Sequence, residues 1–267
     1  EIEKFDLGSY KNYTEMTRRA REHWLKYPVR THWQELSVDS TGLLVFESKN
    51  CQKCFEVSGG VEDCKYTYYI GRGPVKDSYD YSWWGNNAEL IYEGMTVGGG
   101  IRNVHFADES GLGLYDAEYV KLSLGGSSNL FGCVSLNKKS YCILNKQYSK
   151  EEYEKLVPQI IQHMKGTPYI DKKGRKYFYG EFFPTELSPF AYNETLAQQY
   201  YPLAKEEALT KGYSWKDQHP TEYKITLPAG DLPDHIRDVS DLILKETIGC
   251  LVCGHAFRII PQELDFH

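Results

Sequence analysis

Two groups of residues in this chain have the types and spacing to do chemistry. The first is Cys250-Leu251-Val252-Cys253-Gly254-His255. Two cysteines three positions apart, followed by glycine, form the turn that presents a pair of thiolates to a tetrahedral zinc. That is half a structural site, and His255 and His267 are the remaining candidate ligands. Gly254 stands between Cys253 and His255, so the motif is not a haem attachment site. Without zinc, the same pair is a disulfide or two free thiols. The second group is acidic: Asp77, Asp80, Glu93, Asp116 and Glu118, with Arg102 nearby. Carboxylates that converge in one cleft can hydrolyse a glycosidic bond. Scattered over several faces, they are ordinary surface charge. No nucleophile elbow, phosphate loop or His-Glu-x-x-His motif accompanies them.

The elements that would position these residues are set by a repeat. From residue 48 the chain reads as blocks of thirteen: SKNCQKCFEVSGG, then VEDCKYTYYIGRGP with one extra residue, VKDSYDYSWWGNN, AELIYEGMTVGGG, IRNVHFADESGLG, LYDAEYVKLSLGG and SSNLFGCVSLNKK. A partial copy, SYCILNKQY, starts at 140. The fourth position is Cys51, Cys64, Ser78, Ile91, Val104, Ala117, Leu130 and Ile143, and the first is small or aliphatic. The third is mostly Asn or Asp, and most blocks close on glycine. Stacked apolar columns, with turn-forming Asn/Asp and Gly at the corners, predict a solenoid in which each repeat buries its face on its neighbours. Thirteen residues are few for a pair of helices, and the blocks are rich in Tyr, Val, Ile and Trp, so the coils are β. One coil takes either thirteen residues or twenty-six. The bulk of Ile91, Leu130, Trp83 and Trp84 favours the wider coil.

The fold class expected is therefore mainly β with capping helices: a β-solenoid, then a small α/irregular C-terminal region ending in the zinc-ribbon half-site. Four segments follow from the pattern. Residues 1–34 hold an amphipathic helix over about 9–27, N-capped by Ser9 and stopped by Pro28, suited to cover the first rung. Residues 35–148 are the solenoid. Residues 149–213 begin with the capping box Ser149/Glu152 and a second capping helix, then a turn at Asp171–Gly174 and a proline-containing stretch, 181–192, that packs along the solenoid wall. A helix over about 203–211 stops at Gly212. Residues 214–267 are a polar linker, a short helix ending near Thr247, and the zinc knuckle.

Composition narrows the functions. The chain has 267 residues, 25% charged, with a net charge of −6. No basic surface dominates, which argues against a nucleic-acid partner. No apolar run is long enough to predict a membrane-spanning helix. Tyrosine is abundant, with 22 copies, many in the repeats. Its ordinary meaning is half-buried β positions; its sharper meaning is a platform on which sugar rings or a flat partner stack. Five of the seven cysteines, Cys51, Cys54, Cys64, Cys133 and Cys142, fall in the repeats and read as small core residues with reduced thiols, which favours the cytoplasm. Only Thr67 and Thr96 occur in the repeats, too few for an ice-binding array.

The runs NKKSYCILNKQYSKEEYEKLVPQII, GEFFPTELSPFAYNETLAQQYYPLAKEEAL and CLVCGHAFRIIPQELDFH resemble a group of uncharacterised repeat proteins from small-genome bacteria of the candidate phyla radiation. The resemblance extends from the repeats to the end. It implies that Cys250 and Cys253 are the first half of a zinc ribbon, whose second Cys-x-x-Cys would follow roughly fifteen residues after the first half. It therefore implies that this sequence stops short of that pair, or that His255 or His267 substitutes. It implies no activity. The leading expectation is a non-catalytic binding or scaffold protein with a structural zinc, offering its solenoid face to a protein or carbohydrate partner. A polysaccharide-acting enzyme, built on the carboxylates above, is the alternative. Nucleic-acid association through the ribbon comes third.

Overall fold

The protein is described by a computed structural model over residues 5–30, 32–71, 73–217, 223–251 and 253–266. Two compact units emerge: residues 30–216, and a second made of 1–29 together with 217–267.

The larger unit is a β-solenoid of parallel strands stacked coil on coil. Most coils take thirteen residues, and the steps at the two ends are shorter, as from Gly42 to Cys54 and from Ser128 to Ser140. Ile101 pairs with Ala88, Tyr115 with Arg102, and Ser128 with Tyr115, each in parallel register. The extra residue after Val61 appears as a longer step, Val61 to Val75 and Tyr68 to Ser82. The twenty-six-residue coil suggested by bulky residues is thus incorrect, and burial explains why. Trp83 and Trp84 stand outside the tube, 40% and 37% exposed, while the interior is filled largely by Val, Cys, Ala, Ser and single aliphatic side chains. Tyr81 is the one aromatic ring in the main core cluster. It fits because its partner on the next rung is Gly94, where even a Cβ would meet the ring at 3.3 Å. At roughly 4.8 Å per rung, about eight coils make a tube about 40 Å long.

Within each coil the chain turns inward every third residue. In the coil that starts at Ile101, Phe106 is buried outside the tube against Tyr119, and the positions that fill the tube are Ile101, Val104, Ala107 and Ser110. Each is followed two residues on by one in the left-handed region: Asn103 (φ +54°), Phe106 (+52°), Glu109 (+46°) and Leu112 (+54°). Such a φ costs an ordinary L-residue about 1–2 kcal/mol, and Asn and Asp visit it most readily. The Asn/Asp column therefore makes corners as expected: Asn50, Asp63, Asp77, Asn103, Asp116 and Asn129 all have φ near +50°. Two of these corners also bond across rungs. Asn50 Nδ2 donates to Asp63 Oδ1 at 2.6 Å, and Asn103 Nδ2 to Asp116 Oδ1 at 2.7 Å.

The buried polar residues are mostly satisfied. Ser110 Oγ donates to the Asp108 carbonyl and accepts the Ser123 amide of the next coil. The core thiols behave alike: Cys51 Sγ donates to Val61 O at 3.2 Å and Cys133 Sγ to Cys142 O at 3.3 Å. No disulfide links the five solenoid cysteines. Interaction with the neighbouring Cys54 thiol favours the Cys51 thiolate, but the Cys64 thiol and burial outweigh it and push Cys51 up to about 11. Cys133 and Cys142 are raised chiefly by burial. These thiols serve as core side chains.

The last coil is covered by the helix Lys150–Gly166, which starts at the expected capping box. Ser149 Oγ accepts the Glu152 amide and Glu152 Oε2 accepts the Ser149 amide. Tyr153, Leu156, Val157 and Ile160 of this helix pack on Phe131 and Ile143. Beyond it a hairpin pairs Tyr169–Ile170 with Lys176–Tyr177 around the expected turn. Asp171 organises that turn, accepting the amides of Lys173 and Arg175 and pairing with the Arg175 side chain at 2.5 Å. The helix Lys205–Thr210 ends at Gly212, whose φ is +86°.

In the smaller unit the helix Tyr10–Trp24 is N-capped by Ser9, as expected. Ser9 Oγ also donates to Asp234 Oδ2, and Asp234 O accepts the Tyr10 amide. The helix thus joins the C-terminal segment in one compact unit. The expected short helix before Thr247 is a 3-10 turn, Asp241–Lys245, with Ser240 at its N-cap position. Five residues with one buried side chain, Ile243, give too little apolar face to hold a longer α-helix. A three-stranded sheet joins Leu227–Pro228, Ile248–Gly249 and Ala256–Phe257. Among the described residues no helix is long and apolar enough to cross a membrane.

Candidate functional site

The triplet rhythm that buries every third residue leaves two outward side chains between each inward pair. On one side of the tube these outward positions carry aromatic rings on consecutive rungs. Phe55 pairs with Tyr68, Tyr68 with Ser82, and Ser82 with Met95. The neighbouring column is Tyr69 and Trp83. Tyr69 and Trp83 lie 4.9 Å apart between ring centroids, and Tyr68 contacts both rings at 6.0–6.3 Å. Phe55, Tyr68, Tyr69, Trp83, Trp84 and Met95 are each between 37% and 50% exposed, so the patch faces solvent over four coils. A contiguous exposed patch of rings is the informative kind of surface; scattered exposed apolar residues are not.

A second aromatic column runs along an adjoining edge of the same tube. Successive rings are Tyr66, Tyr79, Tyr92, Phe106, Tyr119 and Phe131, with centroid separations from 4.4 to 5.9 Å. Lys65 Nζ sits 4.9 Å from the Tyr66 centroid and 5.7 Å from that of Tyr79. Towards the far end, residues 179–183 lie across this column. Tyr179 Oη donates to Glu118 Oε2 at 2.8 Å, and the Gly180 amide donates to Tyr119 Oη at 3.0 Å. Phe106 is buried beneath them, with Tyr179 and Tyr119 against its ring.

The five carboxylates singled out in the sequence divide. Asp77 and Asp116 are corner residues of the Asn/Asp column. Asp80 and Glu93, on consecutive rungs, line a cavity of about 350 Å³ with Ser82, Gly94, Met95 and Phe182. Glu118 is held by Tyr179 alongside. Arg102 lies elsewhere on the tube, 3.6 Å from Glu89. Two carboxylates therefore share one cavity, short of a convergent set of three. Burial raises the Glu93 carboxyl above the usual range, while the Tyr92 hydroxyl and the Phe182 main chain draw it back; the Asp80 and Glu181 charges add to the rise. Burial also raises Asp80, against the pull of Lys65. Glu93 Oε2 is closed from solvent and has no hydrogen-bond partner.

The cysteine pair lies in the connection between two paired strands. Strands Ile248–Gly249 and Ala256–Phe257 run antiparallel, the Cys250 amide donates to His255 O, and the Gly254 amide donates to Cys250 O. Gly254 has φ +73°, which closes the turn. This backbone suits two thiolate ligands. His255 Nδ1 is 3.2 Å from the Cys253 carbonyl, and His267 lies outside the described residues. No cluster of three or more His, Cys, Asp or Glu side chains that could hold a metal occurs among the described residues. The described residues thus do not complete a tetrahedral set around Cys250 and Cys253.

Sequence reading noted Trp83 and Trp84 only as bulk and passed over Phe55 and Met95. Their outward positions follow once the inward triplet is known. Phe182 and Phe183 belong to the stretch expected to pack along the solenoid wall and do lie against it, whereas nothing in the sequence marks Tyr179 as a partner of the solenoid. The chain has no match among protein-family models, curated proteins or solved structures.

Proposed function

We propose that this is a non-catalytic binding protein that takes an extended carbohydrate chain on the aromatic side of its solenoid. The supporting observation is the patch of Tyr68, Tyr69 and Trp83, rings in mutual contact yet open to solvent, with the exposed rings of Phe55 and Trp84 on the same coils or the preceding one. Tyr and Trp offer flat apolar faces with polar tips, which suits pyranose rings carrying C–H groups on their faces and hydroxyls at their rims. The stacked coils repeat those faces along a line, so a polymer can engage several at once. In the same reading, Cys250 and Cys253 hold a structural zinc with ligands outside the described residues, bracing the C-terminal hairpin.

The test is retention on a panel of insoluble polysaccharides, with tryptophan fluorescence to follow binding of soluble oligomers. Wild type is expected to be retained by at least one β-linked polymer. Trp83→Ala is expected to weaken retention about tenfold while leaving the melting temperature in place, because a central exposed aromatic contributes of order 1–2 kcal/mol to such contacts. Retention by none of the panel, or retention indifferent to Trp83, rejects the proposal. The Asp80–Glu93 pair in one cavity supports a hydrolytic reading second. New reducing ends from a retained polymer, lost in Glu93→Gln, would select it.

A further inference from the structure

Basic side chains on the solenoid have two kinds of partner. Lys76 pairs with Glu62 at 2.9 Å, Arg102 with Glu89 at 3.6 Å, and Lys121 with Asp108, each carboxylate standing on the preceding rung. Lys53 and Lys65 are exposed as well, yet among the described residues neither makes an ion pair. Both meet an aromatic ring instead. Lys53 Nζ lies 5.6 Å from the Tyr66 centroid and Lys65 Nζ 4.9 Å, so two ammonium groups share one ring. Tyr79 continues that ring on the next rung, with centroids 5.3 Å apart.

The position of these lysines ties them to the aromatic patch. Lys53 and Phe55 flank the inward residue Cys54. Lys65 and Tyr66 precede the inward residue Thr67, and Tyr68 and Tyr69 follow it. The unpaired lysines and the exposed rings therefore belong to the same two coils, on either side of one buried corner. Carboxylates bound this basic site. Asp80 follows Tyr66 on the next rung, its amide donating to Lys65 O at 3.1 Å, and Glu56 lies beyond Phe55.

Two ammonium groups on one ring repel each other, and an anion between them replaces that repulsion with two attractions. The rest of the chain sets the kind of anion. A net charge of −6 repels a densely charged polymer such as a nucleic acid, whose phosphates need a long basic track. A uronic acid differs: its carboxylate stands at the rim of a pyranose ring, so a ring stacked on an aromatic face carries its charge to the side. We propose that the carbohydrate taken on the aromatic patch is a polyuronate, its sugar rings on Tyr68, Tyr69 and Trp83 and a carboxylate on Lys53 and Lys65 beside Tyr66. This rests on the carbohydrate-binding reading and adds the charge of the polymer to it.

Tryptophan fluorescence titrations of the whole protein compare β-linked polyglucuronate and polymannuronate with their methyl esters, which keep the backbone and lose the charge. At about 50 mM salt a polyuronate is expected to bind about tenfold more tightly than its ester, the weight of two exposed charge pairs. At about 1 M salt, where the Debye length is about 3 Å, most of that preference should vanish. Lys53→Gln/Lys65→Gln is expected to abolish the preference while keeping the affinity for the ester and the melting temperature. Lys76→Gln, which removes a paired lysine from another column, should change none of these. Equal affinity for polyuronate and ester overturns the proposal, as does a preference that survives in the double variant. Tighter binding of a sulfated polysaccharide or of single-stranded DNA than of either polyuronate also overturns it. Neutral polymers held through Trp83 without any acidic preference would sink this proposal and leave the carbohydrate reading standing, whereas binding of no polymer at all removes both.

Discussion

Three glycines in the solenoid separate the forces that the thirteen-residue coil imposes. Gly111 lies thirteen residues after Gly98 and pairs with it across rungs. A Cβ built there would stand 2.1 Å from the Gly98 carbonyl oxygen, a backbone atom that cannot rotate away. Gly100 has φ +71° and open space around it, and Gly71 has open space and no positive φ. Alanine should therefore be nearly neutral at Gly71, or stabilising by about 0.5 kcal/mol through the unfolded chain. At Gly100 it should cost about 1 kcal/mol for the left-handed backbone alone. At Gly111 the clash adds an overpacking cost of about 1–3 kcal/mol, for a total of about 3 kcal/mol. In a unit of this size, each kcal/mol moves the midpoint by about 2–4 °C, so Gly111→Ala should melt about 6–12 °C below wild type. Thermal unfolding followed by circular dichroism, with urea titration as a check, measures all three. Equal melting temperatures for Gly100→Ala and Gly111→Ala would refute the reasoning, because the close approach of Gly98 exists only if one coil is thirteen residues long.

Two further outcomes follow from the cysteines. With Cys51 pushed up to about 11 and buried, only about one such thiol in a thousand is ionised at pH 8. Iodoacetamide at that pH should therefore modify exposed Cys253 within minutes and leave the five solenoid thiols intact until denaturant is added, as read by peptide mass spectrometry; prompt labelling of Cys51 or Cys64 would contradict the packing described. For the hairpin, elemental analysis of the protein should give one zinc per chain, lost in Cys250→Ser/Cys253→Ser, whereas a protein without zinc would remove the structural-metal reading.

Much of the fold was legible because a solenoid writes the same instruction many times. The fourth column of the repeat is inward in the structure, from Cys51 to Leu130, and the Asn/Asp column is at left-handed corners. The capping box at Ser149 was legible for a different reason: both of its hydrogen bonds lie within four residues. Coil width was misread because bulk was counted without direction. Trp83 is large, but it sits two positions after inward Tyr81, on the outside. The shorter rhythm of three was present in the sequence all along as Ile101, Val104, Ala107, Ser110, hidden because polar residues such as Thr67, Ser78, Ser110 and Ser123 take some of its inward places.

The site was less legible than the fold, and the physical reason is distance along the chain. The aromatic patch depends on residues thirteen apart, which the repeat brings into register, so it can be recovered from the period alone. The seating of Tyr179–Phe183 depends on contacts between Tyr179 and Glu118, sixty-one positions away, across a helix and a hairpin. No periodicity connects them, and the residues used, Tyr, Gly and Phe, are unremarkable where they stand. Whatever binds along the solenoid reads a surface that the repeat generates coil by coil, and a change at Trp83 alters one step of it.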